Sequence, residues 1–245
     1  MVLKYIEEYR DGTLARAIIK KIQAVSKKKL RLMEVCGTHT MSIFRHGIRS
    51  VLPEGITLLS GPGCPVCVTA QKDIDAFVEF SRIDNVIVTT FGDLIKVLGS
   101  SSSLGKEKAA GADVRIVYSV FDAINIAREN KEKEVVFCGV GFETTIPTIA
   151  AGILMGIGDI PLIGDIPLSG MSLKKEYEKF DAAIKFGMDM PDMPEPKGCA
   201  CGEILMGLKT PEQCGLYKKK CTPMTPVGPC MVSSEGSCAA FYRYA

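Results

Sequence analysis

The sequence predicts an α/β fold: a parallel sheet flanked by helices, followed by a small turn-rich, cysteine-rich module. Three observations predict it. Over the first 155 residues, five short apolar, β-branched runs alternate with segments of helical periodicity, as expected of strands that need helical crossovers and are covered on both faces. Two cysteine-bearing turns directly follow two of those strands, at the edge where open parallel sheets bind ligands. Beyond residue 170 the periodicity gives way to proline turns, and six of the ten cysteines lie there.

In chain order, residues 3–9 and 14–26 carry apolar positions at helical spacing, and three lysines at 27–29 suit the negative end of the helix dipole. Residues 30–35 read as a buried strand that delivers Cys36-Gly37-Thr38-His39-Thr40, a thiol with an imidazole three residues on. A helix over 41–52 and a strand over 56–59 lead to Gly61-Pro62-Gly63-Cys64-Pro65-Val66-Cys67. Two glycines and two prolines fix that turn and present its two thiols as an exposed pair, a redox couple or a metal half-site. Strands of one parallel sheet converge at their carboxyl ends, so Cys36, His39, Cys64 and Cys67 are expected in one cleft.

An amphipathic helix spans 70–82, and strands span 86–90, 114–118 and 135–138, with a helix over 121–130. Residues 99–105, rich in serine, read as a flexible surface loop. The last strand runs into Cys138-Gly139-Val140-Gly141-Phe142-Glu143-Thr144-Thr145. Glycines after a strand, with hydroxyls opening a helix, can cradle an anion on backbone N–H groups. The same residues equally make a strand-to-helix turn capped by Thr144, with Cys138 in the core.

The pattern then breaks. Residues 156–170 contain a tandem repeat of Ile-Gly-Asp-Ile-Pro-Leu, too few copies for a solenoid and read as a junction. It separates an α/β domain, 1–155, from a segment, 171–245, that opens with a helix over 173–186 and a proline-rich connector over 188–197. The rest is short, turn-rich and dense in Cys199, Cys201, Cys214, Cys221, Cys230 and Cys238. A segment with so small a core needs a staple. Six thiols without a neighbouring histidine favour an iron–sulfur cluster, or a zinc site of four cysteines.

Composition narrows the function classes. Thirty basic residues nearly cancel 28 acidic ones, and no basic, aromatic-interleaved face points to nucleic acid. No apolar run reaches the roughly 20 residues that span a bilayer, and the first ten residues lack the features of a signal peptide. A cytoplasmic protein is expected, in which clustered thiols serve metal or redox chemistry rather than a disulfide framework.

Taken together, Glu34-Val35-Cys36-Gly37-Thr38-His39-Thr40, the turn over 61–67, Gly141-Phe142-Glu143-Thr144-Thr145 and Pro229-Cys230-Met231-Val232-Ser233-Ser234-Glu235-Gly236 resemble the HypD family of [NiFe]-hydrogenase maturation factors. The resemblance covers residues 1 to about 155 and about 168 to 245. It implies a metallocofactor-assembly scaffold that, with the small partner HypC, holds the iron on which an Fe(CN)2CO unit is built. It further implies a [4Fe-4S] cluster and transient contact with HypE, the cyanide donor. Cys36 is then the expected iron ligand, oriented or activated by His39, with Cys64 and Cys67 as a redox pair. Glu143 falls in a motif tied to nucleotide or iron chemistry, and Glu235 is expected to accept hydrogen bonds or a proton near the cluster. Similar gaps and intervening turns make Cys214, Cys221, Cys230 and Cys238 the expected cluster ligands, leaving Cys199 and Cys201 as a spare pair. The family has a second α/β domain before the cluster region, and here the repeat stands in its place. The readings are therefore a scaffold with redox function, an iron–sulfur thiol–disulfide oxidoreductase, a zinc-stabilised binding module, or an inactive truncated form.

Overall fold

The computed structural model describes residues 10–156, 162–163, 173–194 and 196–245. The expected helix over 3–9 and most of the repeat-bearing junction lie outside the described residues.

Helix α1 (Gly12–Val25) starts where the Asp11 carboxylate accepts from the amides of Thr13 at 2.7 Å and Leu14 at 3.1 Å, satisfying two of the helix's orphan donors. Strand β1 (Leu30–Glu34) runs through Cys36 into α2 (Gly37–Arg45). The single helix expected over 41–52 is instead two, because Gly47 adopts a left-handed φ of 62° and α3 (Ile48–Val51) begins anew. Strand β2 (Ile56–Ser60), the short α4 (Pro65–Val68), α5 (Gln71–Phe80) and β3 (Val86–Thr90) follow.

The serine-rich stretch is an ordered loop rather than a flexible one. The Asp75 carboxylate accepts from the Ser100 amide at 2.6 Å and its hydroxyl at 2.7 Å. Ser102 and Ser103 are buried, and Ser103 caps α6 (Leu104–Ala109). Then come β4 (Val114–Ile116), α7 (Val120–Glu129) with a Ser119/Asp122 capping box, β5 (Glu134–Cys138) and α8 (Ile146–Gly156).

Among the described residues all strand pairs are parallel, yet they form two sheets where one was expected. β1 pairs with β2 alone, and the other sheet has the order β4-β3-β5-β6, where β6 (Leu162–Ile163) is contributed by the junction. β3 is buried along its whole length, whereas β1, expected to be buried, is largely exposed. Instead of joining the larger sheet, β1 leans on the C-terminal segment: the Arg31 guanidinium donates to the Gly207 carbonyl at 2.8 Å. Met33 and Leu59 close over that glycine, whose φ is 70°.

The charged helix expected over 173–186 is a 3-10 turn, Lys175–Phe180, and a short α9 (Ala182–Lys185), parted at Asp181. Asp181 caps α9, and Phe180 and Ala182 on either side of it are buried while the charged residues stay outside. The C-terminal module contains α10 (Cys201–Leu205), α11 (Pro229–Val232) and α12 (Ser237–Tyr244). One continuous core joins Phe77, Phe80, Val88 and Val136 of the α/β part to Cys201, Cys230 and Met231 of this module. The module is thus packed onto the domain.

Candidate metal and thiol centre

Glu34 and Ser60 are register partners at the carboxyl ends of β1 and β2, so the loops that follow leave the sheet side by side. The Gly61 amide donates to the Glu34 carbonyl at 2.8 Å, and the Gly37 amide to the Gly63 carbonyl at 3.0 Å. A Cβ on Gly63 would stand 2.6 Å from the carbonyl carbon of Cys36, so only glycine permits this approach. Cys36, half-buried, is the extended residue at the head of α2.

A third segment completes the arrangement. The Thr38 hydroxyl donates to Glu235 Oε1 at 2.9 Å, and the Ser237 hydroxyl to the Ser60 carbonyl at 3.4 Å. A Cβ on Gly37 would lie 2.5 Å from that of Glu235. Glu235 is thereby placed beside the Cys36 loop. Beneath the three loops, Arg49 donates to the Leu58 carbonyl at 2.6 Å, Glu34 Oε1 at 2.8 Å and the Ser60 hydroxyl at 3.0 Å. The Glu34 side chain is only 7% exposed, and the Phe44 and Phe241 rings flank the guanidinium.

Cys64 and Cys67 were expected on an exposed turn, but they are 3% and 6% exposed. Their cover is the C-terminal module: the Cys67 thiol donates to the Pro229 carbonyl at 3.6 Å. The hydrogen bond from Cys67, assisted by Ser233 and by backbone amides, outweighs burial and lowers Cys64 to about 7. Cys67 moves the other way. Its bond with Cys230 favours ionisation, but the bond with Cys64 and burial together push it well above the ordinary thiol range. Ser233 itself donates to Asp93 Oδ2 at 3.3 Å.

From Cys67 the sulfurs continue inward. Cys230 bonds with Cys201, Cys238 and Cys67, and the Cys201 contact, with burial, raises it strongly. Cys238 is also raised: Cys201 pulls it down, but Cys230 and burial outweigh that. Cys221 accepts from the Val227 amide at 3.3 Å, and the Cys214 thiol faces the Gly198 carbonyl at 3.9 Å. A Cβ on Gly228 would meet the sulfurs of both Cys199 and Cys201. Cys201 thus bonds with two of the expected cluster ligands, Cys230 and Cys238, and shares the Gly228 contact with Cys199.

The remaining expected site residues stand apart. His39 is exposed on α2, and its side chain makes no hydrogen bond among the described residues, with Cys36 or otherwise. Glu143 is exposed in the loop before α8. Its neighbours Thr144 and Thr145 line a cavity of about 360 Å³ that extends to Pro65, Phe91 and Ser119. Cys138 is fully buried at the end of β5. Sequence reasoning missed Arg49, Ser60 and Asp93. A lone carboxylate at the end of an apolar strand, Glu34, was the one signal that a cationic partner had to be near.

The donor set fits an iron–sulfur cluster. Among the described residues, no three His, Cys, Asp or Glu side chains form a ready single-ion site. A [4Fe-4S] cluster makes a different demand, one thiolate for each of four irons. Five of the six C-terminal cysteines are buried, and Cys230 bonds directly with Cys201 and Cys238.

The family model described as "HypD: Hydrogenase formation hypA family" matches residues 13–161 and 158–245. The chain is 30% identical over 368 positions to the hydrogenase maturation factor HypD of Rhizobium leguminosarum bv. viciae, covering 99% of this chain and 96% of that protein. It is 32% identical to a putative hydrogenase expression/formation protein of Methanocaldococcus jannaschii, covering 96% and 98%. Against the hydrogenase maturation factor HypD of Escherichia coli the identity is 29%, covering 99% and 98%. The 368 aligned positions exceed the 245 residues present, and the two family matches meet at the repeat. These relatives carry a segment there that this chain lacks.

Proposed function

This chain belongs to the HypD hydrogenase-formation family, and from that membership we propose that it is a hydrogenase maturation scaffold with redox function. In this reading Cys36 and a cysteine of HypC hold the iron of an Fe(CN)2CO unit, the cargo under assembly, and HypE delivers cyanide. The observation that carries the reading is the convergence of three loops from distant parts of the chain on Cys36, through the Gly37–Gly63 and Thr38–Glu235 bonds.

The residues divide the work. The Cys36 thiolate is a soft donor for low-spin iron(II). Glu235 and Gly63 fix the loop that presents it. Cys64, the thiol with the lowered pKa, is the nucleophile of the pair, and Cys67, held protonated, is its partner. Cys214, Cys221, Cys230 and Cys238 are the proposed holders of a [4Fe-4S] cluster, which when bound supplies one-electron redox equivalents. Cys67 reaches Cys230 directly, which gives the pair and the module a common boundary. No helix among the described residues is long and apolar enough to cross a membrane, and a cytoplasmic setting is part of the proposal.

The chain of sulfur contacts from Cys64 to Cys238 also favours a second reading, an iron–sulfur thiol–disulfide oxidoreductase that needs no iron at Cys36. Infrared spectroscopy of the anaerobically purified chain with HypC and HypE separates the two. CN and CO stretching bands in the wild type, lost in Cys36→Ala, are expected. Undiminished bands in Cys36→Ala sink the ligand role. Disulfide reduction that persists in that variant, with no bands in either protein, supports the second reading.

A further inference from the structure

Helix α1 has 14 residues and buries none of them. Helices of this length are marginal in water, and proteins stabilise them by packing an apolar face. The half-buried positions of α1 are Ile19 and Ile22, and the Gln23 side-chain amide donates to the Val51 carbonyl at 3.2 Å. On the adjoining stripe Leu14, Ile18 and Val25 are 53%, 50% and 69% exposed. With Lys21, these three recur at intervals of four, three and four residues, the spacing at which one helix presents a seam to another.

The charge around that seam has one sign. From Gly12 to Met33 there is no acidic residue, while Arg16, Lys20, Lys21 and Lys27 to Lys29 are all exposed. None of these six forms an ion pair among the described residues. The whole chain carries a formal charge of only +2, so the cationic stretch is a local feature. We propose that α1 docks an acidic amphipathic helix of a partner protein, with apolar side chains of that helix against Leu14, Ile18 and Val25 and a carboxylate opposite Lys21. A second copy of α1 does not fit, since it would set like charges against each other. Lipid is a poorer match. Helices that lie in a bilayer surface commonly carry Trp or Phe on the apolar face; α1 has neither, and Lys21 interrupts its seam. A nucleic acid would neutralise the lysines and leave the apolar seam bare. The inference does not rest on the metal reading above.

The test titrates the full chain into two fluorescein-labelled synthetic helical peptides of about three heptads, read by fluorescence anisotropy. Both carry leucine at a and d; one has glutamate at e and g, the other lysine. The wild type is expected to bind the glutamate peptide, more weakly as salt rises, and to ignore the lysine peptide. Ile18→Ser, at an exposed position that leaves the fold in place, is expected to weaken binding about tenfold. The double variant Lys20→Glu/Lys21→Glu is expected to lose the glutamate peptide and gain the lysine one, an exchange that a merely sticky surface would not make. Vesicles of phosphatidylserine and phosphatidylcholine, sedimented with the chain, are expected to leave it in the supernatant. A glutamate peptide that does not bind the wild type overturns the proposal, as does binding that both variants leave unchanged. Sedimentation with the vesicles that Ile18→Ser abolishes also overturns it, in favour of a lipid surface.

Discussion

The Gly37 amide donates to the Gly63 carbonyl at 3.0 Å, and that bond joins the loop presenting Cys36 to the turn carrying Cys64 and Cys67. Gly63→Ala places a methyl group against the Gly37 nitrogen and 2.6 Å from the Cys36 carbonyl carbon. Both obstacles are backbone and cannot rotate away. A loss of about 1–3 kcal/mol is expected, read as a lower urea midpoint. Gly215→Ala, where a Cβ meets nothing within 4 Å, serves as the control and leaves the midpoint nearly unchanged.

Cys64 is lowered from 9.0 to about 7, chiefly by its bond from Cys67. Its thiolate ultraviolet absorbance, taken as the difference between the wild type and Cys64→Ser, is expected to titrate near 7, and in the Cys67→Ala background to move toward 9. A folded pKa below the unfolded one contributes stability that is fully present above 9 and lost as pH falls through 7. A midpoint that stays put in Cys67→Ala would refute the assigned cause.

Asp113 receives two bonds from Arg115, each of 2.8 Å, and one from Lys133 at 3.1 Å. Arg115 foremost, then Lys133, outweigh burial and hold the carboxyl at about 2, down from 3.8. This stabilisation is present above the unfolded value and disappears as pH falls from 3.8 through about 2. The side chain is 29% exposed, so after screening it contributes about 1 kcal/mol. Asp113→Asn is expected to flatten the corresponding part of the acid-unfolding curve.

Arg49 is the counter-ion of a carboxylate that is 7% exposed, and Glu34 Oε2 has no partner even so among the described residues. Arg49→Met strands that charge and is expected to cost about 3–5 kcal/mol in urea denaturation. Combining it with Glu34→Leu recovers most of the loss. If the double variant is no better than the single, the ion pair is not the reason for the defect.

The motifs were legible because their chemistry is local. Thiols at strand ends, glycines at a close approach and β-branched runs announce themselves over a few residues, and the α/β class followed from them. Other features depend on partners far along the chain. The turn at Cys64 looks exposed from its own residues, since the Pro229 carbonyl that covers Cys67 comes 162 residues later. β1 reads as buried from its apolar residues, yet among the described residues it pairs only with β2 and rests on Gly207. Asp75 orders the serine loop from 25 residues upstream, so composition alone suggested mobility. Gly47 was visible, but only its left-handed φ turned a tolerated glycine into a helix break.

Thr38 and Glu235 are separated by 197 positions, and Ser237 and Ser60 by 177. Contacts so remote in sequence close late, because the loop entropy must be overcome before they return any stabilisation. A ribosome therefore releases the first two cysteine loops long before their cover is made. During that interval Cys64 and Cys67, buried in the finished protein, are open to oxidants. The order of synthesis gives the chain a vulnerable adolescence that the finished protein no longer displays.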